Sequence, residues 1–397
     1  MAVRPDSFAH FVVSTRDRIA FSIKYHRDFY LSGFFTLAGV ALAVASPPPD
    51  AFGWAGLILT LIGAVAWVCS FLAANRDRGA LIVQERALHL ADLPLAEAAA
   101  RIDCEVLWHG SEIAIVRSDD VDRLLWTQHP AVELMSTRYR LPQLQRLIFP
   151  QVFAIEKVWP HDWNEAKVKL TTDLSPGFLA GGQPVHVQRT DYYSNIITNN
   201  QCDRTIRGEE SERLFDGVSY FLDEDGGLVG LGESTASNGI GISSLCITSD
   251  FQVIYQTQGK QREAPNAKGP SGSGSLDWAD LVTTVCKRGG TFVDAVIFGM
   301  EREQNEEIGV PHAQGKVATA LTGYGRYLHR GGKPEFFGIS VTSARRQELS
   351  PGKLEGGRVR CIHSIPLDRI EAGHVADRLE SQFASWRGKR DVSRRFS

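Results

Sequence analysis

The sequence predicts a mixed α/β domain behind an N-terminal two-helix transmembrane hairpin. Three observations predict it. Two uncharged apolar runs stand close together near the start of the chain. Strand-like and helix-like patterns alternate in its C-terminal part. The 397 residues exceed what one ordinary domain needs. Hydrophobic residues make up 43% and the formal net charge is −3, the balance of a globular protein and not of a disordered or nucleic-acid-coating one. No nucleic-acid partner is expected.

Residues 1–28 read as a cytosolic leader and 29–75 as the hairpin. Residues 29–46 and 51–74 carry no charge, and Pro47-Pro48-Pro49-Asp50 between them breaks any helix. A bilayer core asks for roughly 20 apolar residues, down to about 17, which the second run exceeds and the first just reaches. Two other readings compete. Ala43-Val44-Ala45 resembles a signal-peptide cleavage pattern, but the long leader and the second apolar run argue against it. A buried soluble helical pair is the other, but Gly and Ala richness without a polar face suits lipid better. Arg4, Arg16, Arg18, Lys24 and Arg27 precede the hairpin, and Arg76, Arg78 and Arg86 follow it. The positive-inside rule then puts both termini in the cytosol of a multi-pass inner-membrane protein. Gly39 and Ala43, and Gly56 and Thr60, are four apart, a spacing that allows close helix approach and self-association into a homo-oligomer. The six cysteines are scattered, with no Cys-x-x-Cys pair, so neither a zinc site nor a disulfide framework is expected.

Residues 76–235 read as an intermediate region, either a small domain or an extension of the C-terminal one. Residues 105–108 and 112–116 are strand-like. Residues 119–126 have helical apolar spacing, and 141–155 suggest a helix interrupted by Pro150. Residues 223–227 read as a solvated turn.

The pattern sharpens across residues 236–386. Residues 242–248 and 253–256 read as strands, 265–275 as a Gly- and Ser-rich loop, and 335–341 as a later strand. Val293, Val296, Ile297 and Met300 make one buried helical face. Glu303, Glu306 and Glu307, at i, i+3 and i+4, gather three carboxylates on a neighbouring face. Unpaired, they repel each other, and a hard divalent cation relieves that. The plainer reading is a solvated acidic helix surface. Gly309 ends the helix.

The run Arg302-Glu303-Gln304-Asn305-Glu306-Glu307-Ile308-Gly309-Val310 resembles the second half of the Nudix box, Arg-Glu-apolar-x-Glu-Glu-x-Gly-apolar. Arg302, Glu303, Glu306, Glu307, Gly309 and Val310 match in register. The first half departs: Asp294 stands where the box has Glu, Arg288 where it opens with Gly, and Gln304 at an apolar position. The resemblance implies a mixed-sheet Nudix α/β/α sandwich. It implies Glu303, Glu306 and Glu307 as ligands of Mg²⁺ or Mn²⁺, and Arg302 as the supporting ion-pair residue. These four are the catalytic candidates if the site turns over, as a metal-dependent pyrophosphohydrolase. Lys316, Tyr324 and Arg326 are candidate ligand contacts, because cations among aromatics suit phosphate and base recognition. An exposed edge loop explains them equally well. Residues 387–397 form a basic tail.

Two membrane helices ahead of a Nudix-like domain resemble the transmembrane-Nudix effectors of CBASS antiphage systems. That resemblance implies a cyclic nucleotide as ligand, a functional link to a cyclic nucleotidyltransferase, and disruption of the lipid bilayer on activation. The alternative is a membrane-tethered Nudix hydrolase cleaving a nucleoside diphosphate derivative with Mg²⁺.

Overall fold

A chain with apolar residues at period 3.6 in some stretches and period 2 in others builds helices on sheets, and this one builds two units. The computed structural model describes residues 5–25, 27–45, 51–79, 81–85, 88–110, 113–156, 164–258, 268–310, 317–351 and 359–367. The Pro47–Asp50 turn, Lys316 and the basic tail lie outside the described residues. One unit comprises residues 1–86, 141–164 and 204–216, the other residues 87–140, 165–203 and 217–397. Residues 76–235 thus contribute to both.

The first unit holds helices Pro5–Tyr25, Arg27–Ala45, Ala51–Gly79 and Gln143–Ile155, with a three-stranded antiparallel sheet made by Ile82–Glu85, Arg204–Arg207 and Arg213–Asp216. Gln143–Ile155 runs unbroken through Pro150, contrary to the interruption expected. An interior proline costs about 3 kcal/mol or more. Burial of Ile148, Phe149, Val152 and Phe153, with Phe21 packed edge-on to Phe149 at 5.4 Å, offsets it.

Helices Arg27–Ala45 and Ala51–Gly79 pack on each other through small residues. A Cβ built on Gly39 would lie 2.5 Å from the backbone N of Thr60 and 2.8 Å from the Gly56 carbonyl, and one on Gly63 would lie 2.7 Å from Thr36. Gly39, Gly56 and Thr60 are therefore used within the hairpin, where the sequence suggested a seam between chains. The outward side chains are large and apolar: Phe34, Leu37 and Val44 are 64%, 71% and 76% exposed, and Leu61 is 67% exposed. Among the described residues no helix is long and apolar enough to cross a membrane. The transmembrane expectation is thus without structural support here.

The second unit is mixed α/β. Its nine-stranded sheet runs, in order, Lys268–Pro270, Gln252–Gln258, Gly241–Ile247, Lys333–Thr342, Val317–Tyr327, Ile113–Arg117 and Glu105–His109. Gly272–Ser275 also pairs with Gly241–Ile247, and Val359–Pro366 with Gln252–Gln258. Lys333–Thr342 is parallel to Gly241–Ile247 and the other pairings are antiparallel. A second sheet carries Val132–Arg138, Val185–Asp191 and Ala166–Leu170. Helix Phe292–Ile308 buries Phe292, Val293, Val296 and Met300 in a core shared with Ile242, Leu321 and Phe336 of the large sheet and Val168, Leu170 and Val187 of the small one. Period-2 alternation points Ile242, Ser244 and Cys246 inward and leaves Leu245 exposed.

The sequence suggests a loop over residues 265–275, yet Lys268–Pro270 and Gly272–Ser275 are strands. Gly and Ser have low strand propensity, but bulk is forbidden here. A Cβ on Gly272 would sit 2.9 Å from Gln304 Cδ, and one on Gly274 would overlap the Glu303 carboxylate.

Candidate active site on the acidic helix

Helix Phe292–Ile308 starts where Thr291 and Asp294 form a reciprocal capping box: Thr291 N and Oγ1 donate to Asp294 Oδ2 at 2.8 and 2.7 Å. These bonds hold the Asp294 carboxyl below its usual range. Its carboxylate is committed to the cap, so it gives the glutamates farther along the helix no support. The helix stops at Gly309, whose φ of 57° is the left-handed conformation expected there.

Four carboxylates surround Arg302. Its Nε and Nη2 form a fork on Asp280 at 3.1 and 3.0 Å, and Nη2 lies 3.3 Å from Asp277. On the other side Nη1 reaches Glu303 at 3.0 Å and Glu306 at 2.9 Å. Burial works against the charge on Arg302, but Glu303, Asp277 and Asp280 outweigh it and push its pKa above the usual guanidinium value. Lys167, buried on strand Ala166–Leu170, bridges Asp277 and Glu165. Burial pushes the Asp277 carboxyl upward, against the pull of Lys167 and Arg302.

The plainer sequence reading places Glu307 on a solvated helix surface. It is fully buried, because the helix lies close on the Gly272–Ser275 strand. Its Oε2 accepts from Gln256 Nε2 at 2.6 Å and from Ser273 N at 2.8 Å. Gln304, at the apolar position of the box, is also fully buried and donates to Ser244 O, Ser244 Oγ and Ser271 Oγ at 2.8–2.9 Å. The sheet face under this end of the helix is polar, which is why a glutamine fits.

The structure brings Glu303 and Glu306 to Arg302 and sets Glu307 against Gln256 and Ser273; Asp277, Asp280, Lys167 and Gln256 are partners that sequence reasoning missed. Asp277 and Asp280 carry a cap spacing ahead of a short helix, Trp278–Leu281. That spacing marks a helix start and says nothing of Arg302. The candidate ligand contacts do not join the cluster. Tyr324 is buried, with its phenol pKa pushed up by burial. Arg326 is 4% exposed and donates to Gly332 O, Asp173 and Val229 O. Both belong to the interior of the Val317–Tyr327 strand and not to an exposed loop. Lys316 lies outside the described residues.

Carboxylate oxygens are the donors a hard divalent cation takes, and Glu303 and Glu306 both face Arg302. Gln256 Oε1, a further hard oxygen, is buried beside Glu307 without a hydrogen-bond partner. Among the described residues no three of these side chains are grouped to hold a metal ion in this arrangement. Arg302 stands between them.

No protein-family model matches the chain, and no curated protein matches it. Solved structures similar to it include DR0079 from Deinococcus radiodurans, at 15% identity over 41% of this chain and 97% of that one, with a TM-score of 0.23. A Nudix hydrolase from M. smegmatis, RenU, is 12% identical over 48% and 94%, with a TM-score of 0.22. A MutT Nudix hydrolase from Burkholderia pseudomallei is 17% identical over 36% and 96%, with a TM-score of 0.22. At those TM-scores the likeness shows no family for this chain.

Proposed function

We propose that the chain is a bacterial membrane effector of the CBASS antiphage type. Its Nudix-like unit senses a cyclic nucleotide in the cytosol, and its apolar helices assemble to disrupt the inner membrane. One observation carries the reading: a box helix with Arg302, Glu303, Glu306, Glu307 and Gly309 in Nudix register sits in the same chain as a helical pair whose outer faces are large apolar side chains. So broad an exposed apolar surface suits a lipid or protein environment and not water. The uncharged runs of residues 29–46 and 51–74 support lipid, and the flanking arginines support cytosolic termini. Arg302 ties up Glu303 and Glu306, which favours binding over turnover. A ligand shifts the helices only by its differential affinity for the quiet and assembled arrangements.

The test is expression of the chain together with an activating cyclic nucleotidyltransferase. Cells should depolarise with the parent chain and stay polarised when Phe34, Leu37 and Val44 are changed to Ser. Cells that stay polarised with the parent chain refute the effector reading. The retained carboxylates favour a second reading, a membrane-tethered hydrolase. When bound, Mg²⁺ or Mn²⁺ at Glu303, Glu306 and Glu307 supplies a Lewis acid and an activated water. Metal-dependent release of phosphate or nucleoside monophosphate by the purified chain, without membrane damage, would decide for it.

A further inference from the structure

We propose that residues 371–386 of this chain dock as an amphipathic helix on the outer face of the large sheet. The face turned toward helix Phe292–Ile308 is a closed core. Alternation along each strand turns the other face away from that helix, and it is apolar as well. Strands Val317–Tyr327, Lys333–Thr342, Gly241–Ile247, Gln252–Gln258 and Val359–Pro366 lie side by side there. Across them Leu245 pairs with Ile339, Ile247 with both Val341 and Val253, and Val253 with Ile365. Their neighbours Cys246, Ile254 and Ser340 point inward and are buried, whereas Leu245, Ile339 and Val341 are 39%, 44% and 50% exposed. A sheet face left to water carries polar side chains. One with a continuous apolar belt marks an interaction site.

The occupant is the chain itself. Val359–Pro366 runs along the edge of this face with Ile365 in the belt, and residues 368–397 follow at once. A tethered segment meets the face at high effective concentration. Those residues lie outside the described part of the chain, and their sequence carries the pattern of a one-sided helix. Ala372, Val375, Ala376, Leu379, Phe383 and Trp386 recur at three- and four-residue spacing, and on a helix they fall within one stripe about 100° wide. Asp377, Arg378, Glu380 and Ser381 fall outside it. Asp368 and Glu371 precede the stripe, and Arg387 and Gly388 close it, the signals of a helix start and stop. Length agrees with the face. Residues 371–386 as a helix span about 24 Å, and five strands side by side span about 19 Å.

Maleimide modification of cysteines placed on the sheet of the purified full chain, read at each site by peptide mass spectrometry, tests the proposal. Ile339→Cys and Val341→Cys should react slowly in the otherwise unchanged chain. Adding Leu379→Asp with Phe383→Asp should speed both by at least about tenfold, the scale set by burying one large apolar side chain. The buried native thiols Cys202 and Cys246 should stay unreactive throughout, which shows the fold intact. Should the double Asp change expose Cys202, Leu379→Ala with Phe383→Ala takes its place, and no acceleration there counts equally against. Fast modification of Ile339→Cys and Val341→Cys in the otherwise unchanged chain overturns the proposal, as does protection that survives the changes at Leu379 and Phe383. Protection lost on dilution assigns the face to a second copy. Protection that appears only with vesicles of phosphatidylethanolamine and phosphatidylglycerol assigns it to a membrane. Either result overturns the proposal.

Discussion

Removing Arg302 while keeping its bulk, as in Arg302→Met, probes the electrostatics of the acidic helix most directly. The substitution leaves Asp280 and Glu303, whose side chains are 4% and 6% exposed, without their main counter-charge. Breaking a buried pair by removing one partner costs about 3–5 kcal/mol. The Arg302 side chain is 21% exposed, and the resulting solvent screening puts the cost near the low end, at about 3 kcal/mol. For a unit of this size each kcal/mol moves the melting temperature by about 2–4 °C, so the expected fall is about 6–12 °C. Thermal unfolding of the purified chain, read by tryptophan fluorescence, measures it. Trp278, in the helix that carries Asp280, is a built-in reporter. Mn²⁺ at about a hundred times its dissociation constant should return about 2.7 kcal/mol to the variant. A variant that melts with the parent would refute the view that Arg302 neutralises the cluster. A variant that melts early but ignores Mn²⁺ would refute the view that a cation takes its place.

Burial lowers Lys169 to about 8, from 10.5 for the free side chain. The folded state then binds fewer protons than the unfolded state between those values, so stability rises with pH across that window, by up to about 3 kcal/mol. Urea midpoints from about pH 7 to 10.5 should show that rise in the parent and lose it in Lys169→Met; parallel curves would refute it. Gly39→Leu should separate the hairpin helices, since even a Cβ there meets Thr60 at 2.5 Å. The readout is lower helix content and heat stability of the purified chain, and an unchanged melt would contradict the packing described. Thr291→Ala removes the cap of the acidic helix and should cost about 1 kcal/mol in a denaturant titration; no change would mean that the cap is redundant.

Much of the second unit is legible in sequence where periodicity is strong. The strand expected at 242–248 is Gly241–Ile247, that at 335–341 lies within Lys333–Thr342, and the helix expected at 119–126 is Asp119–Thr127. The helix holding the glutamates and its Gly309 stop are readable from one apolar stripe and one glycine. Strands at 268–275 are not, because their glycines answer to the helix lying on them and not to local propensity. Tyr324 and Arg326 mislead for a related reason. Cation and aromatic types suggest a ligand surface, but alternation on a central strand buries both, and Arg326 finds its acceptors in Val229 and Gly332, distant or turned back in sequence. Asp280 and Lys167 are invisible as partners of the acidic helix, since only tertiary folding brings them to Arg302 and Asp277.

Each departure from the Nudix pattern has a local physical answer. Gly289 supplies the left-handed turn one residue after Arg288, at a φ of 69°. Asp294, a methylene shorter than the glutamate it replaces, reaches back to Thr291 and closes the cap. Gln304 would be costly against an apolar sheet, yet Ser244 and Ser271 accept its amide hydrogens. Compensation of this kind seats the helix on the sheet with Arg302, Glu303, Glu306 and Glu307 still in register. The amide hydrogens of Gln304 are satisfied in this way, while its Oε1 is buried without a hydrogen-bond partner. What these departures alter is the support of the glutamates. It comes from Asp280 and Asp277 through Arg302, and from Gln256 and Ser273 on Glu307.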